Sequence, residues 1–356
     1  MRESKYADVA VWGRIPPPIG GMAVHLRRLL PHLTGKGITV QMYSVGRPTQ
    51  EHPQVRQVWG RRLAWLLILL IRRCEPVHYV LSDNTSARFA ASLLAFSGRA
   101  KVILRVGGES LAVAIRSNSL VERLMIRFAI RHATAVVGVN EEICTLAGAI
   151  GAKRVLRVPG FISEPCANQS LPDEVSDFVA ADKSPVLLAS GEVHDPNDDD
   201  LYGAYMLLSV LQRLPNLRVV FYAYEITVGP GPRERLAEEI RKRNLESRYL
   251  LYRSAADLMP AMRRCDMLVR PTRSDGDSSS VREALHAGLP VIASDCVERP
   301  EGVVTFPTGN LQMLGDAVLG VLSDLEGHRR KVRYLPKLDH ARPIVELFQE
   351  LLAHTR

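Results

Sequence analysis

The chain has 356 residues, 46% hydrophobic and 24% charged, a globular composition long enough for two ordinary domain cores. Its five cysteines (Cys74, Cys144, Cys166, Cys265 and Cys296) are scattered, odd in number and without CxxC spacing, which argues against a disulfide framework and a zinc site. Charge is divided unevenly: residues 1–162 hold 23 Lys and Arg against 9 Asp and Glu, and the remainder 23 against 29, so the first half is suited to meet something anionic.

The amino-terminal MRESKYADVAVWG lacks the apolar core of a signal peptide. A first strand is expected over Val9–Trp12, then a helix over Met22–Leu33 and a strand over Thr39–Ser44. The most apolar run, Leu63 to Ile71, reaches about half the ~20 residues that cross a bilayer, so Leu63–Arg73 reads as a helix of the domain. Strands at His78–Ser82, Val102–Val106, Ala135–Val139 and Val155–Val158 alternate with helices at Ala87–Phe96, Leu120–His132 and Glu141–Ile150. Residues 163–184, with prolines at 165 and 172 and no sustained periodicity, read as a linker. Beyond it, strands at Val186–Ser190, Arg218–Tyr222, Tyr249–Tyr252, Met267–Arg270 and Val291–Ser294 alternate with helices. Those helices are expected at Leu201–Leu214, Arg233–Asn244, Leu258–Cys265, Ser278–Ala287 and Leu311–Leu325, and a last one at Pro343–His354.

Alternation of this kind implies two parallel-sheet α/β domains. The boundaries are 1–162, the linker 163–184, 185–341, and a C-terminal helix in 342–356 that packs back on the first domain. Two doubly wound domains facing across a cleft would bind ligand at the carboxyl ends of their strands.

The most informative stretch is 270–295, RPTRSDGDSSSVREALHAGLPVIASD. A strand ends at Arg270, a polar turn follows, and a helix rich in Ser and Asp at its start closes at Gly288. Amide groups at such a helix start, with the dipole behind them, suit a diphosphate. Asp275 lies in the turn, and Glu283 lies inside the helix, where a carboxylate accepts two hydrogen bonds from a vicinal diol such as ribose.

Asp275, seven residues, Glu283, then Ala284-Leu285, Gly288 and Pro290-Val291 resemble the motif of family 4 of retaining glycosyltransferases, in the GT-B superfamily. Pro16-Pro17-Pro18-Ile19-Gly20-Gly21 resembles that family's Gly-Gly loop, and weaker likeness runs over most of the chain. The resemblance implies a GT-B fold and sugar transfer from a nucleotide-diphosphate sugar (UDP- or GDP-sugar), with no cofactor required. It implies that Asp275 holds sugar hydroxyls and Glu283 the ribose, while Gly20, Gly21, Gly276, Asp277 and Ser278 approach sugar and phosphate.

The chain departs from the pattern in two places. Where many members carry an Arg and a Lys on the diphosphate, it reads GEVHDPNDDDLYG, with Glu192, Asp195, Asp198, Asp199 and Asp200. Arg270 and Arg273 are the candidates to supply that charge. The acidic run lacks EF-hand spacing, so no metal site is assigned. Val106 stands where members often have a His before a glycine, which leaves His25, Asn84, Arg105 and Glu109 as acceptor-side candidates. Lacking zinc-finger spacing, an RNP-like motif and a basic repeat, the basic half points away from nucleic acid. It points to a glycan or lipid-linked acceptor and to an anionic membrane surface. Arg61-Arg62 and Arg72-Arg73 around the apolar helix are one candidate contact. With this surface, the family resemblance implies a cytoplasmic enzyme, peripheral at the inner membrane face, in surface polysaccharide or glycolipid synthesis. Two alternatives stay open: a GT-B protein that binds a sugar nucleotide without turnover, and a GT-B nucleotide-sugar epimerase.

Overall fold

The computed structural model describes residues 7–13, 21–44, 55–57, 75–81, 100–107, 111, 115–116, 119–163, 170–194, 200–224, 231–253 and 258–354. The chain forms two compact units, Met1–Ser163 with Asp339–Arg356, and Glu164–Leu338.

In the first unit seven parallel strands lie in the order 3-2-1-4-5-6-7. They are β1 (Val9–Gly13), β2 (Val40–Ser44), β3 (Val55–Gln57), β4 (Val77–Leu81), β5 (Lys101–Val106), β6 (Ala135–Gly138) and β7 (Val155–Arg157). A parallel sheet is covered on both faces, which is why its strands read as near-continuous apolar runs. Alternate residues serve different cores. Ala10, Trp12, Leu104 and Val106 form one core with Ile126 and Ile130 of α2 (Leu120–His132) and Ile143 and Ala147 of α3 (Glu141–Ile150). Val9, Val11 and Ile103 form the other with Leu26, Leu29 and Leu33 of α1 (Gly21–Thr34). Local chemistry sets the helix ends: Asn140 Oδ1 accepts the Ile143 amide at 2.9 Å, and α3 stops at Gly151, whose φ of 103° favours glycine.

The second unit opens with α4 (Asp173–Ala180), inside the stretch expected to be an irregular linker. What orders it is distant in sequence. Arg218, 1% exposed, donates to the carbonyls of Phe178, Val179, Asp182 and Ser184 at the helix's end and pairs with the Asp182 carboxylate. Next come β8 (Val186–Gly191), α5 (Ala204–Arg213), β9 (Arg218–Ala223), α6 (Gly231–Lys242), β10 (Tyr249–Arg253), α7 (Met259–Met262) and β11 (Met267–Arg270). The unit ends with α8 (Ser279–Ala287), β12 (Val291–Ser294), β13 (Val303–Phe306), α9 (Leu311–Ser323) and α10 (Leu325–Arg333). Its six parallel strands lie in the order 10-9-8-11-12-13. Leu207, Leu236 and Leu314 of α5, α6 and α9 fill one core, and Ala261, Val281 and Ala284 of α7 and α8 the other.

Several elements differ from expectation. Helix α5 begins at Ala204 rather than Leu201, because Gly203 adopts a φ of 72° against Pro271, where a Cβ would lie 2.4 Å from Pro271 Cγ. Helix α7 is one turn long where Leu258–Cys265 was expected. Strands β3 and β13 and helix α10 had not been anticipated. The helices expected at Leu63–Arg73 and Ala87–Phe96 lie outside the described residues.

The last helix, α11 (Arg342–Ala353), belongs to the first unit. Ile344, Phe348 and Leu351 join the core of β1, β4 and α1, and Phe348 meets Tyr79 edge-on at 5.5 Å. Lys101 Nζ donates to the Leu351 carbonyl at 2.9 Å, and Arg154 pairs with Glu350 at 2.6 Å. Replacing a fully buried aromatic with Ala costs about 3–5 kcal/mol. Phe348→Ala is therefore expected to lower the midpoint of the first unit's unfolding in urea, followed by circular dichroism, while exposed Glu346→Ala leaves it unchanged.

Candidate functional site

Both sheets reverse their winding direction once, and in the second unit the reversal falls between β8 and β11. Loops leaving these two strands diverge to opposite faces and open a crevice at their carboxyl ends, the usual ligand position in such sheets. Residues 270–283 sit there.

The turn after β11 is built to fold back over the strand end. Pro271 and Thr272 are buried, Thr272 Oγ1 donates to the Ser274 carbonyl at 2.8 Å, and Ser294 Oγ donates to the Thr272 carbonyl. This carries Asp275 back above Arg270. Asp275 Oδ2 accepts from Arg270 Nε at 3.3 Å and from Arg299 Nη1 at 3.0 Å, while Oδ1 accepts the Gly276 amide at 3.2 Å. All three side chains are largely buried, with 10% exposure for Asp275, 11% for Arg270 and 3% for Arg299. Burial by itself would raise the Asp275 pKa, but Arg270 and Arg299 outweigh it and hold the carboxyl below its usual range. Asp275 is thus ionised at neutral pH. The trio of one anion and two cations carries a net positive charge.

The two arginines are anchored differently. Arg299 follows β12 and donates from Nε to the Ser294 carbonyl at 2.8 Å and from Nη2 to Ser294 Oγ and Cys296 Sγ. Arg270 Nη1 donates to the Ser190 carbonyl at the end of β8 at 2.9 Å, and its guanidinium lies 4.9 Å from the centroid of the Tyr202 ring. Tyr202 reaches this place only because residue 191 is glycine, since a Cβ there would stand 2.3 Å from Tyr202 Cγ. Arg270 Nη2 makes no hydrogen bond to the described residues.

Helix α8 starts beside this cluster. Its N-cap Ser278 makes no side-chain cap bond, and its hydroxyl pairs with Ser280 Oγ at 3.0 Å instead. The first-turn amides are therefore left uncapped by that side chain, at the positive end of the helix dipole. Glu283, 5% exposed, sits on the buried side of the helix with Val281 and Ala284. The Asp277 carboxylate is engaged by Arg282 at 2.6 Å.

The remaining candidates lie elsewhere. Arg273 is exposed; its backbone amide donates to the Leu201 carbonyl at 2.9 Å, and its guanidinium lies near Gly309. Of the acidic run, Asp200 caps α5, accepting from the Tyr205 and Met206 amides, and Glu192 lies 3.8 Å from His194. Asp195, Asp198 and Asp199 lie outside the described residues, as do Gly20, Asn84 and Glu109. Gly21 is the first residue of α1.

His25 and Arg105 are parts of the first unit's interior. His25 is 2% exposed; Nδ1 donates to the Gly160 carbonyl at 2.9 Å and Nε2 accepts from the Tyr79 hydroxyl at 3.1 Å. Burial, with Arg105 nearby, lowers its pKa to about 3, so the ring is neutral. Arg105 is fully buried and donates to the carbonyls of Val158 and Pro159 at 2.7 and 3.0 Å. Both side chains hold the segment after β7 against the sheet.

A family model described as glycosyl transferases group 1 matches residues 184–324, the span that contains the Asp275 cluster and Glu283. Among solved structures, the chain is similar to Anabaena HepE in complex with UDP-glucose, at 15% identity and a TM-score of 0.70 over 98% of each chain. It is similar to a sucrose-phosphate synthase from Thermosynechococcus elongatus, at 15% identity and a TM-score of 0.69 over 98% of this chain and 100% of that one. A Listeria monocytogenes protein named as a UDP-N-acetylglucosamine 2-epimerase aligns at 14% identity and a TM-score of 0.68 over 98% of each chain. No curated protein sequence matches. At these identities the structures show the fold, the pair of Rossmann-like units of GT-B proteins, as the motif at 270–295 implied.

Breaking a buried ion pair by removing one partner costs about 3–5 kcal/mol. Asp275→Asn should therefore destabilise the second unit at pH 7. Because the folded-state pKa of Asp275 is depressed, its contribution is complete above the ordinary Asp value of about 3.9 and is lost as pH falls through the lower folded value. Urea unfolding of both proteins between pH 7 and pH 3 is expected to show the gap closing at the acid end.

Proposed function

We propose that the chain is a retaining glycosyltransferase that moves a sugar from a nucleotide-diphosphate sugar to an acceptor hydroxyl. The observation that carries this reading is the position of the Arg270–Asp275–Arg299 cluster. It places net positive charge and an uncapped helix start at the switch point of the unit whose sequence matches the group 1 family model.

In this reading the donor diphosphate lies over the first turn of α8, and Glu283 accepts hydrogen bonds from the ribose diol. Arg270, through Nη2, and the α8 amides stabilise the charge that develops on the leaving diphosphate, which is the main contribution to catalysis. Gly276 offers backbone approach to the phosphates and sugar. Asp275 faces the sugar while holding the two arginines in place. The leaving diphosphate takes the acceptor proton on the same face, so the anomeric configuration is kept without an enzymic nucleophile. UDP-sugars are the first donors to try, since Anabaena HepE, a structural neighbour, binds UDP-glucose. A glycan or lipid-linked acceptor used at the cytoplasmic face of the inner membrane, in surface polysaccharide or glycolipid synthesis, completes the proposal.

The Listeria neighbour favours epimerisation as a second reading, and one assay separates the two. The protein is incubated with UDP- and GDP-sugars together with glycan and lipid-linked acceptors, and products are followed by proton NMR. Release of nucleoside diphosphate with an acceptor product of unchanged anomeric configuration is expected. An epimerised sugar nucleotide would support the second reading, and binding without turnover would overturn both. Glu283→Gln is expected to abolish the thermal stabilisation by donor, which is about 2.7 kcal/mol at a hundredfold excess over Kd in the wild type. Arg270→Ala is expected to lower kcat by about 10²- to 10³-fold, the usual loss for a group that stabilises transition-state charge.

A further inference from the structure

Helix α2 is amphipathic in an unusual sense. Its buried side carries Ile126, Ala129 and Ile130. At 3.6 residues per turn the opposite stripe carries Leu120, Leu124, Phe128 and Arg131, bordered by Val121 and Arg127. A solvent-facing stripe is ordinarily polar. Here Leu120 is 60% exposed, Val121 65% and Leu124 58%, so three large aliphatic side chains crowd the first turns of one helix. Single exposed apolar residues need no explanation, but a group of them marks a contact.

The charges around the stripe have one sign. Arg116, Arg127 and Arg131 are exposed, and between Arg116 and His132 the only acidic residue is Glu122, which lies outside the stripe. Leucines flanked by arginines, on a half of the chain with 23 basic against 9 acidic residues, match the pattern of helices that lie in a membrane interface. A second copy fits poorly. A two-fold contact sets the same patch against itself, so a surface carrying Arg116, Arg127 and Arg131 would meet another of the same sign.

We propose that the first turns of α2 dock the first unit on an anionic phospholipid surface, with Leu120, Val121 and Leu124 entering the interface and Arg116, Arg127 and Arg131 meeting lipid phosphates. This inference is independent of the donor chemistry proposed above. The helix neither spans nor anchors irreversibly; its contact is shallow and salt-sensitive.

The test is co-sedimentation of the full chain with vesicles of 30% phosphatidylglycerol in phosphatidylcholine, compared with phosphatidylcholine alone. Binding to the anionic vesicles is expected at low salt and is expected to weaken sharply in 0.5 M NaCl. Leu120→Ser with Leu124→Ser should lower the partition coefficient about tenfold. Arg116→Glu with Arg127→Glu should lower it at least about 25-fold, taking about fivefold for each arginine lost near the surface. The charge-matched control Lys36→Glu with Lys153→Glu, at exposed sites outside α2, should lower it less than about threefold. All these positions are exposed, and circular dichroism checks that each variant stays folded. Equal losses in the α2 and control variants would overturn the assignment to α2. No binding to anionic vesicles, or equal binding to neutral ones, would overturn the lipid surface. A concentration-dependent dimer that Leu124→Ser dissolves, seen by sedimentation velocity, would replace it with a second copy.

Discussion

Two guanidinium groups withdrawn from water at the end of a sheet require an anion, and Asp275 supplies it. Its Oδ2 is shared by Arg270 and Arg299. Through them it ties together the ends of three neighbouring strands: Ser190 of β8, Arg270 of β11 and Ser294 of β12. Each connection alone is one hydrogen bond, of modest net worth. Joined through charge-assisted bonds in a place with little water, they form a small rigid frame. The frame sets the position of the turn, and the turn sets where α8 begins. The orientation of Glu283 and of the first-turn amides follows from that frame.

Much of the architecture was legible because parallel strands buried on both faces leave compact apolar runs. Val186–Gly191, Arg218–Ala223 and Met267–Arg270 stand out for this reason. The elements that escaped notice lack the signal for physical causes. Strand β3 has three residues and β13 four, and both are edge strands, covered less completely than the centre. Helix α10, LEGHRRKVR, buries only Val332, so it has almost no apolar stripe. Helix α4 depends on Arg218, which caps it from a strand some forty residues away.

The site divides in the same manner. Arg270 and Asp275 are five residues apart, and a local motif reveals such neighbours. Arg299 is 24 residues from Asp275 and comes into range only through topology. Strand β12 pairs with β11 so that Arg270 lies beside Ala293, which puts the residues after Ser294 next to the turn. A rule that carboxyl ends of adjacent parallel strands share one neighbourhood would have drawn attention to Arg299. Strand alternation would likewise have turned Arg105 inward: its neighbours Leu104 and Val106 serve one core, and Ile103 serves the other face, toward α1 and His25. A basic residue near a strand's end is not by that fact in a ligand's path.

The placement of α11 has a consequence for how the chain is made. The first unit receives its last helix from residues 342–353, after all of residues 164–338 have been assigned to the other unit. On a ribosome adding about 5–20 residues per second, roughly 10–38 s pass between completion of the first unit's sheet at Arg157 and arrival of Phe348. During that interval the core of β1 and β4 has α1 but lacks Ile344, Phe348 and Leu351, and Tyr79 is without the ring that packs edge-on against it. The nascent protein thus carries an open apolar surface while its second half is still being synthesised, a window in which chaperone occupancy or premature association competes with native closure. Unit order along the gene and order of completion in the cell are therefore reversed: the half begun first is finished last.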